Sequence, residues 1–317
     1  MIGYLARRLV QAVIVVLGVT VIAFILQNLV STGPSLAHAI IGPRATPVQI
    51  RAFVSQYGLN RPLPLQYVHF LWQLLHGNLG YSYKENLSVD AIISHELPKD
   101  VLLVGVALIL SIVIAVPIGI AQAARRNKAT DYVATGISFL LYSMPSYWLG
   151  ILLIAIFAVG AHILPAEAPQ GATITEVLAQ PSGLVLPIAT LTLVNVALFS
   201  RYMRSAAIET LVQDYIRTAR AKGLPPRKVL SRHLLRNSLI PVTTMIGLSV
   251  PGILTAGLVI ENVFNFPGLG LTFFTASVTF DYPVELGITV LVGVATVFGN
   301  LLADVGYAIL DPRVRYD

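Results

Sequence analysis

Residues Val101–Ala121 read VLLVGVALILSIVIAVPIGIA, without one charged side chain. A helix needs about 20 mostly apolar residues to cross the hydrocarbon core of a bilayer, so this stretch reads as a membrane span. Five more stretches of similar character lie around it. Leu9–Leu29 is interrupted only by Gln11, Thr20, Gln27 and Asn28. Arg7 and Arg8 precede it, as in a secretion signal, but it is long for one and no small-x-small cleavage site follows promptly, so it reads as an uncleaved first span. Tyr132 to about Ala161 is the third, with a kink or break expected at Ser143-Met144-Pro145-Ser146. Gly183–Tyr202, Ser238–Ile260 and Glu285–Ile309 complete a count of six.

Composition agrees. Hydrophobic residues make up 56% of the 317 positions and charged residues 11%, less than half the roughly 25% typical of soluble domains. Mean hydropathy is +0.76. The chain has no cysteine, which excludes disulfides and thiolate metal sites. A net charge of +6 could suggest a nucleic-acid partner, but most basic residues sit in short connections between apolar runs, and no nucleic acid is expected.

Those connections set the orientation, because lysine and arginine accumulate in cytoplasmic loops. Arg125, Arg126 and Lys128 lie between spans two and three, and nine basic residues lie from Arg201 to Arg236. Arg7 and Arg8 mark the head, Arg313 and Arg315 the tail. The alternate connections, Ala161–Ser182 and Glu261–Val284, contain no lysine or arginine. Every basic segment falls on one side of a six-span chain, so both termini are expected in the cytoplasm. The long first loop has five basic residues, but loops of that length escape the rule.

That loop, roughly residues 31–99, carries helix signals of its own. Thr46-Pro47-Val48-Gln49 combines a threonine cap, proline at the first helical position and a reciprocal glutamine, and Gly58 offers a left-handed stop after Tyr57. Pro64–His76 would place Leu65, Val68, Trp72 and Leu75 on one face before Gly77, and Ser88–Leu97 reads as a third short helix. The segment suits a cap over the outer ends of the spans, a docking surface for a soluble delivery partner, or both.

Signs of catalysis are scarce. His95-Glu96-Leu97-Pro98-Lys99 starts like a zinc-peptidase helix but has Lys99 where the second histidine belongs, and Pro98 should break the helix. There is no G-x-x-x-x-G-K-[ST] phosphate loop and no G-x-S-x-G nucleophile elbow. No catalytic residue, metal site or cofactor is expected. Asp304, one turn after Asn300, is the clearest acid within a span. An intramembrane acid is a functional candidate by default, but proton coupling would need a relay of such groups, and pairing with a basic loop near the cytoplasmic end suits Asp304 as well.

The basic loop between spans four and five reads Asp214-Tyr215-Ile216-Arg217-Thr218-Ala219-Arg220-Ala221-Lys222-Gly223-Leu224-Pro225-Pro226. Glu209–Lys222 is compatible with a helix, and small Ala219 and Ala221 allow close approach of another element. Gly223 permits a helix stop at positive φ, and Pro225-Pro226 prevents continuation. A second helix, Arg227 to about Asn237, should lead back to the membrane.

This loop resembles the cytoplasmic coupling loop of ATP-binding-cassette importer permeases, and Arg232-His233-Leu234-Leu235-Arg236-Asn237 extends the match. Arg217 stands where the broad family begins with glutamate, and Arg236 where it has a later proline; both departures suit the branch that imports dipeptides and oligopeptides. Ile260-Glu261-Asn262-Val263-Phe264-Asn265-Phe266-Pro267-Gly268-Leu269-Gly270 is similar to that branch's E-x-V-F-x-x-P-G-L-G signature. The tail Tyr307–Tyr316, Arg7-Arg8-Leu9 and Tyr57–Pro64 also fit, so the resemblance covers the whole chain and is nearest to the first of that branch's two permeases.

The resemblance implies an all-α polytopic protein of the type I importer permease fold. It divides into a head and first span (1–30), an outer helical segment (31–98), a five-helix core (99–309) containing the coupling loop (203–237), and a tail (310–317). It implies partnership in the cytoplasmic membrane with a homologous second permease, two ATPase subunits that bind ATP and magnesium, and an extracytoplasmic peptide-binding protein. Tyr215, Arg217, Ala219, Lys222, Gly223 and Leu224 are then expected at the ATPase contact. Thr192, Asn195 and Ser200 are candidates for the substrate pathway, although helix packing accounts for them equally well. Nickel and glutathione importers share the branch. The rivals from other classes are an ion-coupled carrier, in which neutralising Asp304 would abolish uptake, and a membrane-embedded enzyme, in which the purified chain alone would turn over substrate.

Overall fold

The computed structural model describes residues 2–30, 37, 41, 42, 44–56, 58–82 and 84–310, with side chains except at 2–6, 8, 9, 27, 30, 240, 241, 244, 246, 248–256 and 302–310. In chain order the elements are α1 (Ile2–Val30), α2 (Pro47–Gln56), α3 (Leu63–Leu75), β1 (Tyr81–Ser82), β2 (Leu87–Ser88), α4 (Val89–Ala124), α5 (Ala129–Ser143) and α6 (Ser146–Leu153), which continues as a π-helical stretch, Ile154–Gly160. They are followed by α7 (Ile174–Leu178), α8 (Pro181–Leu211), α9 (Asp214–Ala221), α10 (Pro226–Lys228), a second π-helical stretch (Val229–Leu234), α11 (Leu235–Phe264), α12 (Leu269–Thr279) and α13 (Tyr282–Leu310). The fold is all-α apart from the antiparallel β1–β2 ladder, which pairs Tyr81 with Ser88 and Ser82 with Leu87.

Helices occupy all six expected span positions. Among the described residues, Val89–Ala124, Pro181–Leu211 and Tyr282–Leu301 are long and apolar enough to cross a membrane, and Val10–Leu26 is a shorter apolar run. The third expected span is not one straight crossing. The two helical segments Ala129–Ser143 and Ser146–Gly160 meet at 104°. Pro145 explains the break: it holds the preceding Met144 in an extended conformation, ψ 133°, and so ends α5.

That break was expected; a correction concerns Pro98, which does not stop a helix. The short helix expected over Ser88–Leu97 starts at Val89 and runs on into the second span as one continuous helix, α4. Proline removes only the N–H that would bond the Ser94 carbonyl. Ser94 is exposed, so water can satisfy that carbonyl.

By its contacts the chain forms two compact units, Met1–Pro98 with Pro267–Val297, and Lys99–Phe266 with Phe298–Asp317. In this grouping the stretch 267–297 packs with the first unit. There, buried Val89, Ile92 and Ile93 meet Leu269, Ala276, Val284 and Ile288. Gly287 makes the approach possible: a Cβ at that position would lie 2.5 Å from Val89 Cγ1.

The capping pair forms as the residue types require, Thr46 N–H donating to Gln49 Oε1 at 2.8 Å and Gln49 N–H to Thr46 Oγ1 at 3.4 Å. Gly58 has φ +63°, while Tyr57 lies outside the described residues. Helix α3 is anchored by Tyr67, whose hydroxyl lies 2.9 Å from Thr20 Oγ1 and whose ring is 5.4 Å from that of Phe24. The face carrying Leu65, Val68, Trp72 and Leu75 is exposed. Ser82 and Lys84 donate to the Asp281 carboxylate and the Thr279 carbonyl. Burial raises the Asp281 carboxyl above its ordinary pKa of 3.8, while the Ser82 hydroxyl, the Lys84 charge and the Val284 N–H pull it down.

The second unit is built around α8. Leu184, Leu186 and Leu191 pack with Leu103 and Ala107 of α4, Leu149 and Leu153 of α6, and Ile260, Phe264 and Phe266. A Cβ on Gly119 would lie 2.6 Å from Met203 Cβ and 2.8 Å from the Ser200 carbonyl, so α4 and α8 touch along a bare backbone. The Glu261–Gly270 signature proves to be architectural in its first half. Asn265 adopts the left-handed conformation that ends α11, Phe266 N–H bonds Glu261 O at 2.8 Å, and Ala168 N–H bonds Phe264 O at 2.8 Å. Both phenylalanines are fully buried.

Candidate functional site

The basic loop folds as a compact hairpin of short helices. Helix α8 ends at Leu211 and α9 begins at Asp214, so the single helix expected over Glu209–Lys222 is broken. Gln213 is the reason: it sits in extended backbone, φ −71° and ψ 148°, and lets α9 leave the axis of α8. Gly223 has φ +74° and accepts that conformation without strain. Its N–H bonds Arg220 O at 2.9 Å, and Leu224 N–H bonds Ala219 O at 3.3 Å, closing the helix stop. Pro225 and Pro226 start α10, and the expected return helix is instead α10, a π-helical stretch and the start of α11. Wide turns of this kind occur often at functional sites.

The two faces of α9 have opposite fates. Ile216 and Ala219 are buried with Val229, and Leu224 packs against them. Ala219 therefore does admit a close neighbour, but that neighbour is the loop itself, and its side chain is turned away from any partner. Tyr215, Arg217, Lys222 and Gly223 are exposed, and Leu224 is partly buried. The exposed surface is basic, with Arg217, Arg220 and Lys222 against Asp214. The Arg217–Asp214 pair, 3.5 Å apart and solvent-exposed on both sides, adds little to stability.

Three anchors tie the loop to the helices that bear it. Leu234, fully buried, packs on Ala207 and Ala123. Ser238 Oγ on α11 donates to Thr210 Oγ1 on α8 at 3.0 Å. Arg204 makes a two-pronged pair with Asp131, Nε to Oδ1 and Nη2 to Oδ2 both at 2.7 Å, and Asn127 N–H donates to the same carboxylate at 3.1 Å. Asp131 is 2% exposed, and a planar fork of this kind fixes orientation as well as distance. One turn away, Arg201 lies over the rings of Phe139 and Tyr142, at 4.7 and 4.8 Å. Together these contacts join α4, α5, α8 and α11 at the root of the loop.

The sequence did not single out Asp131, Arg204, Thr210 or Ser238. A signal existed for the first two, since opposite charges at the adjoining ends of spans three and four invite a pair. Nothing in the sequence distinguished the two hydroxyls.

The pathway candidates sit in helix packing. Thr192 Oγ1 donates to Ala107 O at 3.4 Å, Asn195 Nδ2 to Leu191 O at 2.9 Å, and Ser200 Oγ lies 3.3 Å from Ser138 Oγ. All three are buried against the chain's own helices, as the packing alternative expects. The side chain of Asp304 lies outside those described. His95 is exposed, and no cluster of three or more metal-binding side chains exists among the described residues.

Residues 115–316 match the family described as binding-protein-dependent transport system inner membrane component, and residues 1–104 match the N-terminal region of such membrane components. Over 318 residues and the full length of both chains, the protein is 35% identical to the oligopeptide transport system permease protein AppB of Bacillus subtilis. It is 37% identical to a putative peptide permease protein of Brucella ovis, covering 99% of each chain, and 33% identical to the oligopeptide transport system permease protein OppB of Escherichia coli over the whole of both. Among solved structures, an amino acid ABC transporter aligns with a TM-score of 0.52 at 15% identity, over 76% of this chain and 98% of that one, which bears on fold alone. Matched by both family descriptions and along its full length by these relatives, the chain belongs to the family of binding-protein-dependent transport system inner membrane components.

Proposed function

We propose that this chain is the first of two permeases in an ATP-binding-cassette importer of dipeptides or oligopeptides, driven by ATP hydrolysis on separate subunits that hold the ATP and magnesium. The observation that carries the reading is the exposed basic face of α9, set on its own small core and braced at the root by the Asp131–Arg204 pair. A helix so held transmits a push from a partner to α8 and α11 rather than absorbing it. Tyr215, Arg217, Lys222 and Gly223, with Leu224 at the edge, form the contact, and Ala219 positions them from beneath.

Helices α1, α4, α5 with α6, α8, α11 and α13 serve as six spans, with both termini cytoplasmic. The alternation of lysine- and arginine-rich connections with connections lacking both supports that orientation. A homologous permease completes the pathway, and a peptide-binding protein delivers cargo to the outer segment 31–98. A lining role for Thr192, Asn195 or Ser200 requires α8 to part from α4 and α5 during the cycle.

The test is the double charge reversal Arg217→Glu, Lys222→Glu in the complex with the second permease and both ATPases. Both side chains are exposed, so folding should be unaffected. The ATPases should co-purify at reduced yield, and peptide-stimulated ATP hydrolysis and uptake should fall together. Full co-purification with wild-type uptake would refute the contact.

A further inference from the structure

Within the first unit, α1, α12 and α13 bound a groove of about 430 Å³ that the coupling mechanism does not use. Leu26, Phe273 and Leu286 contribute apolar wall, and Phe280 and Tyr282 add two more rings, with centroids 6.2 Å apart. Glu285 stands among them. Its backbone is engaged, N–H to Asp281 O at 3.2 Å and carbonyl from Thr289 Oγ1 at 2.7 Å, but its carboxylate has no partner among the described residues. Lys84 is directed to the Thr279 carbonyl instead. Ser277 Oγ, also in the lining, is buried without a hydrogen-bond partner among the described residues. Phe280 is held at the groove by its place in the chain: at φ +61° it is the left-handed residue that ends α12, its N–H bonding Ser277 O at 3.4 Å.

These features select a ligand chemistry. An unpaired carboxylate on an apolar wall of a membrane protein is a functional candidate by default. Aromatic faces attract cations, so three rings beside a carboxylate suit a cation and repel an anion. A purely apolar ligand would bury Glu285 uncompensated. A primary ammonium has three donors, enough for Glu285, Ser277 and one further acceptor. The volume falls in the range of small-molecule sites, about 300–1,000 Å³.

We propose that this groove binds a primary ammonium carried on an apolar chain, with Glu285 as counter-ion and Ser277 as a second acceptor. Two sources supply that chemistry, the free N-terminus of a peptide with apolar side chains and the ethanolamine headgroup of a lipid. Only the peptide source rests on the proposed function.

The experiment uses the full chain in phosphatidylcholine nanodiscs. In one arm, saturation-transfer NMR compares trileucine with N-acetyl-trileucine. In the other, native mass spectrometry compares retention of dioleoylphosphatidylethanolamine with dioleoylphosphatidylcholine, whose quaternary ammonium donates no hydrogen bond. At least one arm should favour the primary amine by about tenfold, and the arm that does identifies the source. That preference should fall to near parity in Glu285→Gln and largely survive in Glu285→Asp. Absence of preference in both arms, or an equal preference in Glu285→Gln, overturns the proposal. If Glu285→Gln does not elute and melt like the parent, Ser277→Ala takes its place, and an undiminished preference there is equally fatal. Because neither arm involves the ATPases or uptake, an intact amine preference beside a failed uptake assay refutes the importer reading alone, and the converse refutes this site alone.

Discussion

Replacing Gly223 with valine tests whether the loop between α8 and α11 works as the rigid coupling element proposed above. A Cβ at this position meets nothing within 4 Å, while φ is +74°. The cost therefore comes from the backbone and not from a clash. A left-handed conformation costs an L-residue about 1–2 kcal/mol, and β-branching puts valine at the upper end. That lowers the population of the correctly stopped turn by about 5- to 30-fold. The mutant chain, assembled with the second permease and ATPases, should melt no more than a few degrees lower, because Gly223 lies outside every buried cluster and the strain is confined to the turn. Peptide uptake and stimulated ATP hydrolysis should drop by a factor of that order. Asparagine tolerates this conformation far better than other side chains, so Gly223→Asn should work nearly as well as the parent and Gly223→Ala should fall between. Wild-type uptake from the valine variant, or an asparagine variant as poor as valine, would show that backbone strain at this turn does not govern coupling.

Other outcomes follow from the same contacts. Asp131→Ala leaves the partly buried Arg204 uncompensated and should destabilise the protein toward the lower end of about 3–5 kcal/mol, read as a lower melting temperature, with partial recovery in the exchanged pair Asp131→Arg, Arg204→Asp. Ala219→Leu overfills the core beneath α9 at about 1–3 kcal/mol and should weaken ATPase association; rescue by Val229→Ala would mark Ala219 as a positioning residue, whereas failure of rescue would mark it as a contact. Burial raises the Asp281 carboxyl, so the folded state holds its proton more tightly than the unfolded state does. The resulting stabilisation is fully present below 3.8 and is lost as pH rises through the raised value. Asp281→Asn should flatten that part of the melting-temperature profile, and an unchanged slope would exclude Asp281 as its source.

Local chemistry was legible where a residue type allows one outcome. Thr46 and Gln49 cap α2 because their side chains reach each other's N–H within one turn, and Gly58 and Gly223 take positive φ because the chain must turn there. Pro145 breaks the third span because the residue before proline avoids the helical region. Pro98 was misread because proline's effect depends on whether the carbonyl it strands can reach water, which is a property of surroundings. The single helix over Glu209–Lys222 was misread likewise: no residue from Val212 to Asp214 forbids helix, and the break at Gln213 lets α9 bury Ile216 and Ala219 against Val229.

The amino-acid sequence alone determined that the chain carries apolar membrane helices, which connections are basic, and where the loop between α8 and α11 must turn at Gly223, because each depends on composition or backbone permission within a few residues. Tertiary structure alone decided which side of α9 is free, that Arg204 seeks Asp131 across 73 positions of chain, that Thr192, Asn195 and Ser200 face inward, and that the Glu285 carboxylate has no partner among the described residues. Those outcomes depend on which distant atoms arrive at the same place. No local pattern encodes that, because burial and pairing are properties of the packed chain.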